Sequence, residues 1–114
     1  MTDIKRIAVP TVGSRGVKDI VSSVFSKTPN FTFIDIIDGE VNAIEIEENT
    51  ASSLKQGSGP IVVKNLKDKG VKAVIVGELG PGASTLLDLS GIKAIRVKPG
   101  IKVSLALKRT IKKL

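Results

Sequence analysis

Apolar residues recur along this chain with two periods, and the alternation between them lays out the fold. Ile4 to Val9 reads as a first strand, stopped by Pro10. Val17, Ile20, Val21, Val24 and Phe25 then fall at i, i+3, i+4, i+7 and i+8, which predicts a helix ended by Pro29. Phe31 to Ile37 and Val41 to Glu47 are expected to be strands, joined through Asp38-Gly39, the favoured two-residue hairpin turn. A polar stretch of about a dozen residues runs from Glu47 to Gly59, and a loop this long is usually functional or mobile. Pro60 suits the first turn of a helix through Lys69, with Ser58 or Gly59 as its cap and Gly70 as its stop. Val71 to Val76 is nearly all apolar and β-branched, the composition of a strand covered on both faces. A short helix over Ala83–Leu89 ends at Gly91, and Ile92 to Val97 is the fifth strand. In the last helix Val103, Leu107, Thr110, Ile111 and Leu114 make one apolar face, with Lys102, Lys108, Arg109, Lys112 and Lys113 around the rest. The order β-α-β-β-α-β-α-β-α predicts an α/β chain of three layers, a hairpin joined to parallel β-α units.

Two glycine-rich stretches stand out against this frame. Gly77-Glu78-Leu79-Gly80-Pro81-Gly82-Ala83 follows the buried fourth strand and opens a helix. Bare amides and the positive end of a helix dipole at Gly82-Ala83-Ser84 make an anion site, although the spacing is neither the dinucleotide fingerprint nor a P-loop. The same glycines also serve tight turning and capping. Thr11-Val12-Gly13-Ser14-Arg15-Gly16 follows the first strand. If the first and fourth strands are neighbours, both loops lie at the reversal of winding, where open α/β sheets bind ligands.

Composition removes most chemistry. With 114 residues, 41% hydrophobic and 25% charged, the chain is expected to form one soluble domain, 1–114. No stretch approaches bilayer length and no signal-peptide pattern opens the chain, so a cytoplasmic protein without a membrane partner is expected. There is no cysteine and no histidine, which removes disulfides, the usual zinc and iron–sulfur donors, and His-based acid–base catalysis. Carboxylates, carbonyls, hydroxyls and the Met1 sulfur remain, a set suited at best to Mg²⁺ or Ca²⁺. Ser14, Ser58 and Ser84 have no activating partner in the sequence, so no enzyme is expected.

Charge divides the chain. Residues 1–50 carry five Lys/Arg and eight Asp/Glu, residues 51–114 thirteen and three, for a net charge of +7. From Ile92 onward there are eight bases and no acid. Such a surface draws phosphates, nucleic acid, an anionic cofactor or an acidic partner, and also serves solubility. Aromatic content of 3%, all phenylalanine, leaves few surfaces for base stacking, so a nucleic-acid contact would fall on phosphates.

Several words occur in a recognisable order: Ile7-Ala8-Val9-Pro10-Thr11, Phe25-Ser26-Lys27-Thr28-Pro29-Asn30-Phe31, Gly57-Ser58-Gly59, Gly77-Glu78-Leu79-Gly80-Pro81 and Gly91-Ile92-Lys93. Together they resemble the dinitrogenase iron–molybdenum cofactor-binding domain family over essentially the whole chain. The resemblance implies a ribonuclease-H-like α/β/α motif with a five-stranded mixed sheet in the order 3-2-1-4-5. It also implies a non-catalytic carrier of an iron–molybdenum or iron–sulfur cofactor, with donor or acceptor proteins of cluster assembly as partners. The family's Phe-Gly-Arg-x-Pro-Tyr-Phe segment falls on Phe25 to Phe31, so Lys27 stands in the arginine position. The histidines common in the family are Val24 and the stretch Leu54-Lys55-Gln56 here. Strand one has no acid, and Asp35 and Glu78 are the nearest candidates, so nuclease chemistry is not expected. The site is expected at Thr11, Gly13, Ser14, Gly16, Lys27, Gly57, Ser58, Gly59, Gly77, Glu78, Gly80 and Gly82, holding an anionic metallocofactor, cluster or phosphate-bearing molecule, with no side chain as a metal ligand. The alternative is a nucleic-acid or acidic-protein binder using the basic C-terminal third. The outermost strand of a monomer or homodimer would be free to pair.

Overall fold

Five strands pair in one sheet, in which the third, second, first, fourth and fifth strands of the chain lie side by side in that order, as the resemblance implies. The computed structural model describes residues 4–113, so Met1 and Leu114 lie outside the described residues. The strands are β1 (Ile4–Thr11), β2 (Asn30–Ile37), β3 (Glu40–Glu48), β4 (Val71–Val76) and β5 (Lys93–Arg96). The helices are α1 (Ser58–Asp68), α2 (Pro81–Leu89) and α3 (Val103–Thr110), with 3-10 turns at Gly16–Lys18, Thr50–Ser53 and Ile111–Lys113. β1 pairs antiparallel with β2, and β2 with β3, while β4 runs parallel to β1 and β5 parallel to β4. Asp38 and Gly39 both have positive φ, 51° and 83°, which makes their turn the primed type whose twist suits a hairpin.

Alternation along the central strands sorts the core into two clusters. Ala8, Phe31, Phe33, Val74 and Val76 face α1 and α2 and pack with Val62, Val63, Leu66 and Leu87. Ile7, Val9, Ile34, Ile36, Ala73 and Ile75 face α3 and meet Val103, Ala106 and Leu107. Polar groups on the sheet are paired. Arg6 and Asp35, directly opposite across β1 and β2, form a two-pronged pair (Nε–Oδ1 2.8 Å, Nη2–Oδ2 3.2 Å), which holds the guanidinium above its already high ordinary pKa. Lys69 pairs with Glu47 and lies over the Phe33 ring.

The helix expected over Val17–Phe25 does not form. The chain makes one 3-10 turn at Gly16–Lys18 and then isolated bridges, Val21 with Thr11 and Ile20 with Lys102. The apolar stripe is real but serves two cores: Val21 joins the α3-side cluster and Phe25 the α1/α2-side cluster. One helix face cannot reach both layers, so the segment crosses the end of the sheet in extended form. Its β-branched residues favour that conformation.

Asp19 holds the crossing together. Its side chain is fully buried, and the carboxylate accepts from the amides of Gly13 (3.2 Å), Arg15 (3.0 Å) and Ile20 (2.8 Å). Burial is the largest influence on its pKa and opposes ionisation. The three amides and the nearby Arg15 charge outweigh it, so the pKa lies below the usual carboxylate value. The Asp19 carbonyl accepts from Val103 N (2.8 Å) at the start of α3, Val21 exchanges bonds with Gly100 and Ile101, and Ser22 N donates to Pro10 O (2.8 Å). Ser22 then abuts β4's exit at Gly77. A Cβ there would lie 2.9 Å from the Ser22 carbonyl oxygen and 2.9 Å from the Pro99 ring, so only glycine fits.

Two substitutions test this arrangement by thermal and urea unfolding. Asp19→Asn sets an amide group against the Arg15 N–H that Oδ2 now receives, and is expected to cost about 2–3 kcal/mol. Because folding lowers the Asp19 pKa, its contribution is present above the ordinary carboxylate range and is lost as pH falls through the folded value. The difference between the native chain and Asp19→Asn should therefore shrink below about pH 4. Gly77→Ala should cost about 1–3 kcal/mol by pushing apart two packed segments.

Candidate functional site

A groove of about 740 Å³ opens beyond the carboxyl end of β4, on the face covered by α1 and α2. It lies where the winding reverses, since β1 leads away to β2 and β4 leads through α2 to β5. Three stretches of chain form it: Ser23–Lys27 from the crossing segment, Gly59-Pro60 at the start of α1, and Glu78–Ala83 leading into α2, with Leu86 behind.

Both helices begin at this groove with their first turns uncapped. α1 starts after Gly57, whose φ of 79° is left-handed, and α2 after Gly80; neither cap makes a side-chain hydrogen bond, and neither first turn contains an acid. The α1 cap is thus Gly57 rather than Ser58 or Gly59, and α2 begins at Pro81, two residues before the expected Ala83. Glycine and proline explain both starts: a glycine offers no oxygen to the amides above it, and proline at the first position of α2 has no N–H to satisfy. Ser84 N donates to Gly80 O (3.0 Å) and closes the first turn of α2, while the Gly82 and Ala83 amides lie ahead of any intrahelical acceptor. A Cβ at Gly59, Gly80 or Gly82 would meet nothing within 4 Å, so the backbone at these positions is approachable.

The wall carrying Lys27 is rigid in its backbone and free at its side chain. Asn49, almost fully buried, donates from its amide to Ser26 O (3.0 Å) and Thr28 O (2.9 Å), clamping the carbonyls on either side of Lys27. Its own side-chain oxygen accepts from Ala51 N (3.2 Å) and starts the Thr50–Ser53 turn, so part of the long polar stretch is ordered. Thr28 Oγ1 donates to Thr11 O (3.0 Å), and Phe25 stacks edge-on to Phe31 at 5.7 Å, anchoring the wall to β1 and the core. Lys27 is exposed and has no ion pair or hydrogen bond among the described residues. From the opposite side Arg96 donates to Leu79 O (3.4 Å) and steadies the loop before α2.

Of the residues singled out in the sequence, Lys27, Gly59, Glu78, Gly80 and Gly82 line this groove. Gly57 and Ser58 stand at the base of α1 beside it, and Gly77 is packed beneath. Thr11, Gly13, Ser14 and Gly16 do not line it. Thr11 is buried with its hydroxyl 3.1 Å from that of Thr32, the Gly13 amide belongs to Asp19, and Gly16 turns with positive φ against Ile44 and Ile46. Ser14 is exposed. The two glycine-rich loops therefore do not converge on one crevice. The first is filled by Asp19 from the same chain, and its place in the groove is taken by Ser23, Val24, Phe25 and Ser26. For Phe25 and Ser26 the signal is the word Phe25–Phe31, and Ser23 and Val24 stand directly before it.

Chemically the groove offers amides, hydroxyls and one ammonium against an apolar floor. Glu78 is its acid, exposed and in no ion pair among the described residues. Asp35 is turned away in its pair with Arg6. Among the described residues no three carboxylates come together in a way that could hold a metal ion, and no helix is long and apolar enough to cross a membrane.

Comparison with known proteins agrees with this architecture. An uncharacterized protein of Methanocaldococcus jannaschii is 32% identical over 89 residues, 78% of this chain and 71% of that protein. The apo form of the orange protein from Desulfovibrio gigas superposes with a TM-score of 0.85 at 27% identity, over 97% of this chain and 90% of that one. A putative NifB protein from Thermotoga superposes with a TM-score of 0.75 at 31% identity, over 96% and 88%. Residues 5–113, nearly the whole described chain, match the family described as dinitrogenase iron-molybdenum cofactor, and the chain belongs to that family.

Proposed function

We propose that the chain is a non-catalytic binding or carrier module. Its cargo is an anionic metallocofactor, an iron–sulfur-type cluster or a phosphate-bearing small molecule, held in the groove between the starts of α1 and α2. The observation that carries this reading is the meeting of two uncapped helix starts with an unpaired lysine on a clamped loop. Membership of a family named for the iron–molybdenum cofactor supports it.

The residues present fit a cargo held from outside rather than ligated. With no thiolate or imidazole in the chain, the bonds on offer are N–H donors from Gly59, Gly82 and Ala83, hydroxyls of Ser23 and Ser26, and the Lys27 ammonium. Helix-start amides and a lysine favour negative charge without demanding one geometry. Phe25, Leu79 and Leu86 supply an apolar floor against which a large, weakly hydrated anion can rest. No group is placed to act as nucleophile or base, since the serines on the lining have no histidine to activate them.

Anaerobic incubation with reconstituted iron–molybdenum cofactor or a synthetic iron–sulfur cluster, followed by desalting, should give co-eluting iron and a raised Tm. Inorganic pyrophosphate in a parallel thermal shift tests the phosphate version. Gly82→Val, which meets open space, should leave the fold intact and abolish the shift. Lys27→Glu should weaken binding roughly tenfold. Glu78→Gln removes a like charge and should strengthen it a few-fold. Protein that elutes without iron and shows no shift with any of these anions would overturn the proposal.

A further inference from the structure

A second surface, on the opposite face from the groove, has the makings of a self-complementary contact. β3 is an edge strand, and none of its residues belongs to the core cluster under α3. Its register with β2 sets Val41 opposite Ile36 and Ile44 opposite Ile34, so both side chains lie on the α3 face of the sheet. They remain 45% and 43% exposed. Together with Leu107 and Ile111 of the C-terminal segment they line a trough of about 440 Å³. An isolated exposed valine is ordinary; an apolar trough between the edge strand and the helix on that face of the sheet is a surface without its cover.

The charges around the trough say what fits it. Of the acids on β3, Glu40 stands at the trough, whereas Glu45 and Glu47, opposite Phe33 and Phe31, lie on the α1 face, where Glu47 pairs with Lys69. Glu40 lines one wall of the trough and Lys108 the other, and no salt bridge joins them within the chain. A surface that is acidic on one side, apolar in the middle and basic on the other is complementary to itself after a two-fold rotation. We propose that a second copy of this chain docks here, laying β3 of each protomer against α3 of the other, with Glu40 of one meeting Lys108 of its partner twice. Simple extension of the sheet through β3 does not serve. An antiparallel pairing centred on Ile44 would set Glu40 opposite Glu48, a like-charge contact of the kind that protects edge strands.

Sedimentation equilibrium at up to about 1 mM protein tests this, that concentration being enough to populate even a weak dimer. The native chain should shift toward twice the monomer mass. Glu40→Lys and Lys108→Glu, both at exposed surface positions, should each be monomeric with unchanged circular dichroism. An equimolar mixture of the two variants restores both opposite-charge contacts and should dimerise, as should the double variant. Val41→Lys should abolish association in every background. A native chain that stays monomeric throughout overturns the proposal. So does a dimer indifferent to the single charge reversals, or a mixture that fails to recover the association.

Discussion

Leaving β1, the chain must pass from the layer of α3 to the layer of α1 and α2 across the end of the sheet, and Asp19 is what makes that passage stable. Backbone amides buried without a helix or ladder need another acceptor, and an unmet donor costs about 1–3 kcal/mol. A carboxylate with four lone-pair sites meets three amides at once, on Gly13, Arg15 and Ile20. With the crossing fixed, the rest follows in sequence. Ser22 seats against Gly77, and Phe25 drops into the α1/α2-side core. The clamped loop then delivers Lys27 to the mouth of α2.

Much of this fold was legible because its signals are local. The Asp38-Gly39 turn, the β-branched run of Val71–Val76 and the apolar face of α3 each specify their element without help from the rest of the chain, and the strand order followed from the resemblance. Val17 to Phe25 misled because helical spacing implies a single buried face, whereas here the apolar residues divide between two cores. The failure also hid the site. Read as a helix, the segment could not furnish a wall, and the neighbouring Thr11–Gly16 loop was assigned that place instead. Two glycine-rich loops of similar composition have opposite fates, one closed by a buried carboxylate and one left open, and nothing in their spacing distinguishes them.

The same contrast runs through the molecule. Where the fold concentrates charge or donors for its own stability, it supplies the partner: Asp19 to its three amides, Asp35 to Arg6, Glu47 to Lys69 above the Phe33 ring. This habit stops at the groove. At the starts of α1 and α2 the sequence puts glycine where serine, threonine or aspartate would cap, and places no acid in either first turn. A serine or aspartate in place of Gly80 would add a few tenths of a kcal/mol to α2, while the left-handed Gly57 admits no such exchange without strain. Packing does not require glycine at the start of α2, since a Cβ at Gly80 or Gly82 would meet nothing within 4 Å.

Absence of histidine and cysteine then takes on a different meaning from the one it has in an enzyme. A metal-containing group bound through thiolate or imidazole leaves by ligand exchange, and a site built that way is selective for the metal. A group held by amides and one ammonium leaves by simple dissociation, and the site is selective for charge and size. The open groove, the approachable glycines and the flexible Lys27 stem all belong to the second kind. For the anionic cargo proposed, Glu78 on the same lining would work against tight retention by like-charge repulsion. A carrier of the proposed kind must also release its cargo, and one acid among several donors would set that limit.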